Sequence, residues 1–305
     1  MLVNTYKELI GNTPLIKLKG LQEKNINIYA KLEGYNLSGS IKDRAARYVI
    51  EHLLKTGEIN KNTTIIESSS GNFGIALASY LKYKRMKFIC VTDPKITDVN
   101  YKILSCVCEK IIMATHTDDF GGYLLERIRI VKDYVATHDN SYWINQYANE
   151  NMKAAYYYSI GEELVQELPK IDYIFIAVSS GGTISGISSR IKEDYPNAKV
   201  VAVDIEGSVI FGADPKKRNI PGIGSSMVPE LLKDAIIDDV MIMNEEESIK
   251  ACQKLSREEL FLVGGSSGTV YAAIEKYFKK NKIVDDINVV AVFPDRGDRY
   301  IGMIY

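Results

Sequence analysis

The sequence predicts an α/β fold with parallel sheets, on three observations. Short β-branched runs alternate with helix-period segments along most of the chain; Gly- and Ser-rich turns sit where strand should pass into helix; and no heptad, internal repeat or low-complexity tract competes with that rhythm. Runs of this kind separated by helices of roughly 10 to 15 residues imply strands running the same way under a cover of helices.

In chain order, "TTIIE" (63–67) is expected as a strand leading into helical "GIALASYLKY", and "KFICVT" (87–92) leads into "VNYKILSCV". "AAYYYSIGEEL" (154–164) reads as tyrosines packing at a helix start. "IDYIFIAV" (171–178) precedes helical "ISGISSRIKED", and "KVVAVDI" (199–205) follows as the next strand. "DPKKR" (214–218) is a short solvated loop, and "NEEESIK" (244–250) is a capped helix start with its acids where the dipole favours them. "LFLV" (260–263) is expected as a strand before helical "TVYAAIEKYFKK", and "NVVAVFP" (288–294) as the last one. No Pro/Gly/Ser linker interrupts the pattern, so two interwoven α/β domains fit better than two in tandem.

Composition excludes several functions. The 305 residues are 46% hydrophobic and 25% charged, ordinary for a chain with a sizeable core, and the formal net charge of −1 comes from interspersed acids and bases. Neither a nucleic-acid surface nor a polybasic membrane patch is expected. No apolar run approaches the roughly 20 residues that span a bilayer, and the N-terminus lacks a signal-peptide layout, so a cytoplasmic protein is the expectation. Cys90, Cys106, Cys108 and Cys252 read as reduced, buried structural residues, since no second Cys or His cluster accompanies "CVC". The three histidines, His52, His116 and His138, lie near no candidate nucleophile and lack metal-ligand spacing, which leaves a Ser-His-Asp hydrolase or His-rich metal site little to work with. No metal is expected.

Three loops share one design: "ESSSGNFG" (67–74), "VSSGGTISG" (178–186) and "VGGSSG" (263–268). At strand ends in a parallel sheet, glycines let backbone amides approach an anion and the following helix N-terminus adds free N–H groups and a favourable dipole. None matches a dinucleotide fingerprint or Walker loop. "SSGGT" suggests a cup for one phosphate monoester. Any one such turn can be a plain N-cap; three together point to one anionic ligand.

"EGYNLSGSIKDRAARYVIEHLLK" (33–55) places Lys42 in the first turn of an amphipathic helix, where the dipole disfavours a cation by roughly 0.3–1 kcal/mol. On local sequence it would be a solvent-facing lysine paired with Asp43. Beside a phosphate cup and a hydroxyl-bearing loop, it instead suits the imine linkage of pyridoxal 5'-phosphate.

"GNTPLIKL" (11–18), "KLEGYNLSGSIKDR" (31–44), "SSSGNFGIALA" (68–78), "INQYAN" (144–149), "SSGGTISG" (179–186), "GGSSG" (264–268) and "FPDRGDRY" (293–300) appear in the order found in the cysteine synthase family. The chain resembles that family, the fold-type-II pyridoxal-phosphate enzymes, over essentially its whole length. The resemblance implies a tryptophan-synthase-β-like fold with parallel central sheets. Residues 37–146 would form a smaller mobile domain, and 1–36 with 147–305 a larger one, with the cofactor in the cleft between them and a homodimer as the assembly. It further implies that Lys42 is the Schiff-base lysine and proton shuttle. Asn72 would bond the cofactor's phenolic oxygen. Ser179, Ser180, Gly181, Gly182 and Thr183 would form the phosphate cup, and Ser266 would face the pyridine nitrogen. Ser69, Ser70, Asn72 and Gln146 would hold the carboxylate of a small amino-acid substrate. A neutral hydroxyl at the ring nitrogen favours β-chemistry through an aminoacrylate. Asp295, Arg296, Asp298 and Arg299 would brace the last turn near the ring, with no catalytic part.

The implied activity is β-replacement on L-cysteine or an O-activated L-serine, with sulfide, a thiol or an amino acid as leaving group or nucleophile. "KITDVNYK" (95–102) stands where the sulfhydrylase branch carries a "TMSxERR"-like stretch, which weakens the case for a strict O-acetylserine sulfhydrylase. "TDPKIT" (92–97), "GGYLLERI" (121–128), "YWINQYAN" (142–149), "GSVIFG" (207–212), "IPGIGSS" (220–226) and "PDRGDRY" (294–300) are similar to the N-(2-amino-2-carboxyethyl)-L-glutamate synthase branch, whose reading would be O-phosphoserine with glutamate. A cysteine-consuming, sulfide-releasing or lanthionine-forming enzyme is a further alternative. A pseudo-enzyme using the fold as a binding module is the alternative of another class, against which the retention of Lys42, Asn72, the cup and Ser266 argues.

Overall fold

A computed structural model describes residues 2–19, 25–117, 122–280 and 286–305. Gly121, the first residue of one segment quoted above, lies outside them. The described strands form two sheets. The larger has six, in the order β1 (Leu15–Lys17), β2 (Ile26–Leu32), β10 (Ile287–Phe293), β7 (Tyr173–Ala177), β8 (Lys199–Ile205) and β9 (Asp239–Met243). The smaller has four, ordered β5 (Lys110–Met113), β4 (Phe88–Thr92), β3 (Thr64–Ser68) and β6 (Ser141–Trp143). Every strand pairing is parallel except β1 with β2.

Strands buried on both faces should read as unbroken apolar runs rather than alternating ones. "FICVT" of β4 and "VVAVDI" of β8 do, and every residue of each is buried. The helices are α1 (Lys42–Thr56), α2 (Asn72–Lys84), α3 (Asp98–Val107), α4 (Leu124–Thr137), α5 (Glu150–Tyr156), α6 (Glu162–Glu167), α7 (Gly182–Asp194), α8 (Glu245–Glu258), α9 (Gly265–Lys280) and α10 (Ile301–Ile304). One core joins α1, α2, α5 and α7 to both sheets through residues such as Leu53, Tyr80, Ile65 and Ile176; a second fills the other face of the large sheet around Phe175, Tyr271 and Phe293. A small third core, Ile66, Ile89, Val91 and Val131, lies between the four-stranded sheet and α4. No described helix is long and apolar enough to cross a membrane.

Three expectations are corrected. "LFLV" is not a strand: Leu260 has φ 65° and lies exposed, and Val263 makes only a single bridge to Arg296, because the chain is already turning toward α9. Strands β1, β2, β5, β6 and β9 went unread as such, being short or mixed in polarity. Cys90 and Cys252 are buried as expected, but Cys106 is exposed and Cys108 half-buried; all four are free. The capped start of α8 is present, with Asn244 accepting from the Glu247 N–H.

The start of α1 is held by buried charges. The Arg44 guanidinium grips Glu33 through Nε and Nη2, at 2.6 and 2.8 Å, and Glu163 of α6 at 2.5 and 2.7 Å. Lys31, with a fully buried side chain on β2, reaches Glu163 at 3.0 Å, Glu167 at 2.8 Å and the Thr13 carbonyl at 2.8 Å. These pairs tie the N-terminal "GNTP" turn, β2, α1 and α6 together. Burial alone would raise the Glu163 carboxyl, but the hydrogen bond and charge of Arg44, with Lys31, bring it down to about 2.

Removing one member of such a cluster strands a buried charge. Arg44→Ala should therefore cost about 3–5 kcal/mol in urea unfolding at neutral pH. Because Glu163 titrates below its unfolded value of about 4.3, its contribution is complete above that pH and is lost as pH falls toward 2. Wild type should show that acid-side loss, and Arg44→Ala should show much less of it.

Candidate active site

A cleft opens between the two sheets, and four helices begin at it. Lys42 of α1, Asn72 of α2, Thr183 of α7 and Ser266 of α9 all line it, with Ser69, Ser70, Gln146, Ser179, Ser180 and Gly181. Each helix N-terminus carries unpaired N–H groups and partial positive charge, so the cleft is built for an anion. Two of the three Gly/Ser loops follow β3 and β7 as expected. The third enters α9 without a preceding strand.

The turn into α7 is the tightest of these. Gly181 has φ 83°, and a Cβ there would come within 2.9 Å of the Leu232 nitrogen, so both conformation and space require glycine. Gly182 packs behind it, its absent Cβ 3.1 Å from that of Met152. The first intrahelical bond is from the Ser185 N–H to the Gly181 carbonyl; the N–H groups of Gly182, Thr183 and Ile184 find no acceptor among the described residues. Ser179 Oγ donates to the Gly224 carbonyl at 3.1 Å. Free amides over a buried glycine turn fit a phosphate group.

Lys42 Nζ makes no hydrogen bond or ion pair among the described residues and sits 5.8 Å from the centre of the buried Tyr156 ring. Desolvation pulls its pKa down to about 8, against the opposing charge of Asp295. The expected alternative partner, Asp43, is engaged elsewhere: it is buried, accepts from the Ser38 N–H at 2.8 Å, and is raised by burial to about 6. A lysine amine so placed is a nucleophile near neutral pH, which is what an aldehyde cofactor needs.

The 68–72 loop is fastened from several sides. Ser69 Oγ accepts the Gly74 N–H at 2.9 Å, and Cys90 Sγ donates to the Ser69 carbonyl at 3.1 Å. Gln146 Nε2 donates to the Ser68 carbonyl at 3.1 Å, which leaves its second N–H available. Asn72 Nδ2 donates to Asp295 at 2.7 Å while its Oδ1 accepts from Arg299 at 2.5 Å. Ser266 is buried at the α9 start, and its hydroxyl has no partner among the described residues.

The structure adds residues that the sequence reading did not single out. Arg127 of α4 pairs with Asp93 at 3.2 Å and donates to Ser70 Oγ at 3.2 Å, while its Nε is buried without a partner. Asn100 of α3 donates to the Ser70 carbonyl at 3.2 Å and leaves a buried Oδ1 unpartnered. Tyr147 and Tyr300 also line the cleft. A signal for Arg127 did exist: it falls four residues before Val131 on the buried stripe of α4, where a charge demands a reason.

The family model described as "Pyridoxal-phosphate dependent enzyme" matches residues 6–295. Among solved structures, the O-acetylserine dependent cystathionine beta-synthase from Helicobacter pylori is similar with 33% identity and TM-score 0.92, covering 100% of this chain and 99% of that one. A hydrogen sulfide-producing enzyme from Fusobacterium nucleatum is similar at 29% identity and TM-score 0.90, over 98% and 100%. O-ureido-L-serine synthase shares the fold at 24% identity and TM-score 0.89, over 99% and 95%. The chain belongs to the pyridoxal-phosphate dependent enzymes of fold type II, the cysteine synthase family. Its fold class and cofactor are therefore those expected from the sequence.

Proposed function

We propose that this enzyme performs β-replacement on L-cysteine or an O-activated L-serine. The observation that carries the reading is the meeting of a desolvated, uncommitted amine with free helix amides and a hydroxyl loop in one cleft. When bound, pyridoxal phosphate withdraws electrons from the α-carbon of a linked amino acid, so that the α-proton and then the β-substituent can leave.

The chain's own residues do the rest. The amides of 182–184, with the Ser180 and Thr183 hydroxyls, hold the phosphate at the start of α7, while Ser179, whose hydroxyl donates to the Gly224 carbonyl, fastens the turn beneath it. Lys42 would hold the cofactor through Nζ and, when that amine is free, would carry the α-proton on it; its lowered basicity suits it to act as a base at neutral pH. Asn72 addresses the ring oxygen and Ser266 the ring nitrogen. Ser69, Ser70 and Gln146 hold the substrate carboxylate. In this proposal the unit 37–146 closes on the cleft and excludes water. In support, all four strands of the smaller sheet lie between 64 and 143, and slowed amide exchange across 68–72 on adding substrate would report the closure.

Relatives named for O-acetylserine and for hydrogen sulfide support small leaving groups or nucleophiles. A second reading, O-phosphoserine with glutamate, draws on Arg127, whose guanidinium lines the mouth beside Ser70 and would attract an anion. The test crosses cysteine, O-acetylserine and O-phosphoserine with sulfide, cysteine, glutamate and water. Lys42→Ala should be silent in every pairing yet unfold at the wild-type temperature. Arg127→Ala should lose about 10-fold or more on O-phosphoserine relative to cysteine if the second reading holds, since hydrogen bonds to charged groups contribute about 1.5–3 kcal/mol. Uniform effects across leaving groups would sink it.

We also infer a homodimer. Tyr6, Leu9, Tyr83 and Tyr158 are exposed around α1, with Tyr6 against Tyr83 at 5.6 Å and Tyr48 stacked on Tyr158 at 6.3 Å. An aromatic face of this kind marks association. Light scattering should give twice the 34.2 kDa chain mass.

A further inference from the structure

The most heavily invested side chain near the cleft that the chemistry above leaves unused is Asp295. It is 5% exposed and sits just after β10, where Pro294 accepts the Ile41 N–H at 2.8 Å and Asp295 bridges to Ser40. Its Oδ2 accepts from Asn72 Nδ2 at 2.7 Å and from the Tyr300 hydroxyl at 2.5 Å; its Oδ1 has no partner. Gly264 lies so close that an added Cβ would fall 1.8 Å from that Oδ1. Across the same asparagine, Arg299 donates to Asn72 Oδ1 at 2.5 Å and also to the Ser38 carbonyl.

A side-chain amide alone can turn over, since its two ends are nearly the same shape. Here it cannot do so without loss. Flipping Asn72 would set its carbonyl oxygen against the Asp295 carboxylate and its NH2 against the Arg299 guanidinium, replacing two charge-assisted hydrogen bonds with two repulsions. One of the two Asn72 N–H groups is spent on Asp295, and the other remains for the cleft.

We infer that Asp295, with Arg299, is a positioning residue: the pair locks the Asn72 amide in the one orientation that presents an N–H to the cofactor ring. This rests on the reading of Asn72 given above. The pair also joins the turn after β10 to the first residue of α2, so the element carrying the substrate loop is referenced directly to the large sheet.

The test uses purified holoenzymes of Asn72→Ala, Asp295→Ala, Asp295→Asn and Gly264→Ala. Readouts are the visible absorption band of the bound cofactor across pH, its dissociation constant, and kcat and KM. Asp295→Ala should move the band in the same sense as Asn72→Ala and lower kcat roughly 10- to 100-fold with little change in KM, as misplacement of a contacting group does. Asp295→Asn, which keeps an acceptor at the same place, should fall between it and wild type. Gly264→Ala, whose methyl displaces the carboxylate without removing it, should resemble Asp295→Ala and covers the case in which that variant fails to fold. A shifted band in Asn72→Ala with wild-type bands in Asp295→Ala and Gly264→Ala would overturn the positioning role alone. A wild-type band in Asn72→Ala would overturn the reading of Asn72 itself, and this inference with it.

Discussion

The burial of Arg44 and Lys31 against Glu33, Glu163 and Glu167 is the interaction on which the site depends. A helix that opens Lys-Asp-Arg sets two cations against its own dipole. The Arg44 charge is neutralised by two carboxylates, Glu33 from the turn after β2 and Glu163 from α6, and Glu163 is in turn held by Lys31. A buried cluster of this kind is poor evidence for added stability, since desolvation consumes much of the Coulombic gain. Its consequence is geometric. With Arg44 fixed in a fork of charged hydrogen bonds, the backbone two residues earlier has little freedom, and Lys42 is delivered to the cleft without a carboxylate of its own.

That separation of roles explains the chemistry of Lys42. Its neighbour Asp43 faces away and is occupied by the Ser38 N–H. Around Nζ lie apolar wall and the N-terminal ends of α2, α7 and α9, which disfavour an ammonium, and the Tyr156 ring, whose face weakly favours one. The charge of Asp295 also opposes the desolvation, and it is shared among Asn72, Tyr300 and the field of Arg299. The result is an amine lowered enough to react and a cleft positive enough to retain a phosphate. Both follow from parallel strands, which send every βα turn to the same edge.

The mouth follows a different logic from the floor. Floor residues come from glycine turns and helix starts whose geometry is dictated by close packing, as at Gly181 against Leu232. Mouth residues Asn100 and Arg127 come from α3 and α4, which pack on the small sheet; both line the cleft and bond to Ser70. Relatives of the same fold are named for different substrates and products, as expected where one scaffold carries varied sites.

Much of this was legible in the residues. Alternating apolar runs and helix-period segments specify α/β with parallel sheets, because those patterns reflect burial of whole elements. Glycine-serine turns mark helix starts, because glycine's freedom and hydroxyl capping act over four or five residues; the ordered motifs then identify the family. The failures are of another kind. "LFLV" has a strand's composition, yet Leu260 at positive φ and the approach of Gly264 to Asp295 turn the chain away from pairing. Arg127 stood unremarked inside the segment 121–128, and Asp295 read as one brace among four. Their roles depend on partners 34 and 223 residues away, Asp93 and Asn72, respectively. Local sequence determined which turns could bind a phosphate and which lysine could reach it. Only the tertiary structure decided that the lysine would stand unpaired and that one asparagine would be held from both sides, because burial and charge pairing are properties of assembled elements and not of any segment alone.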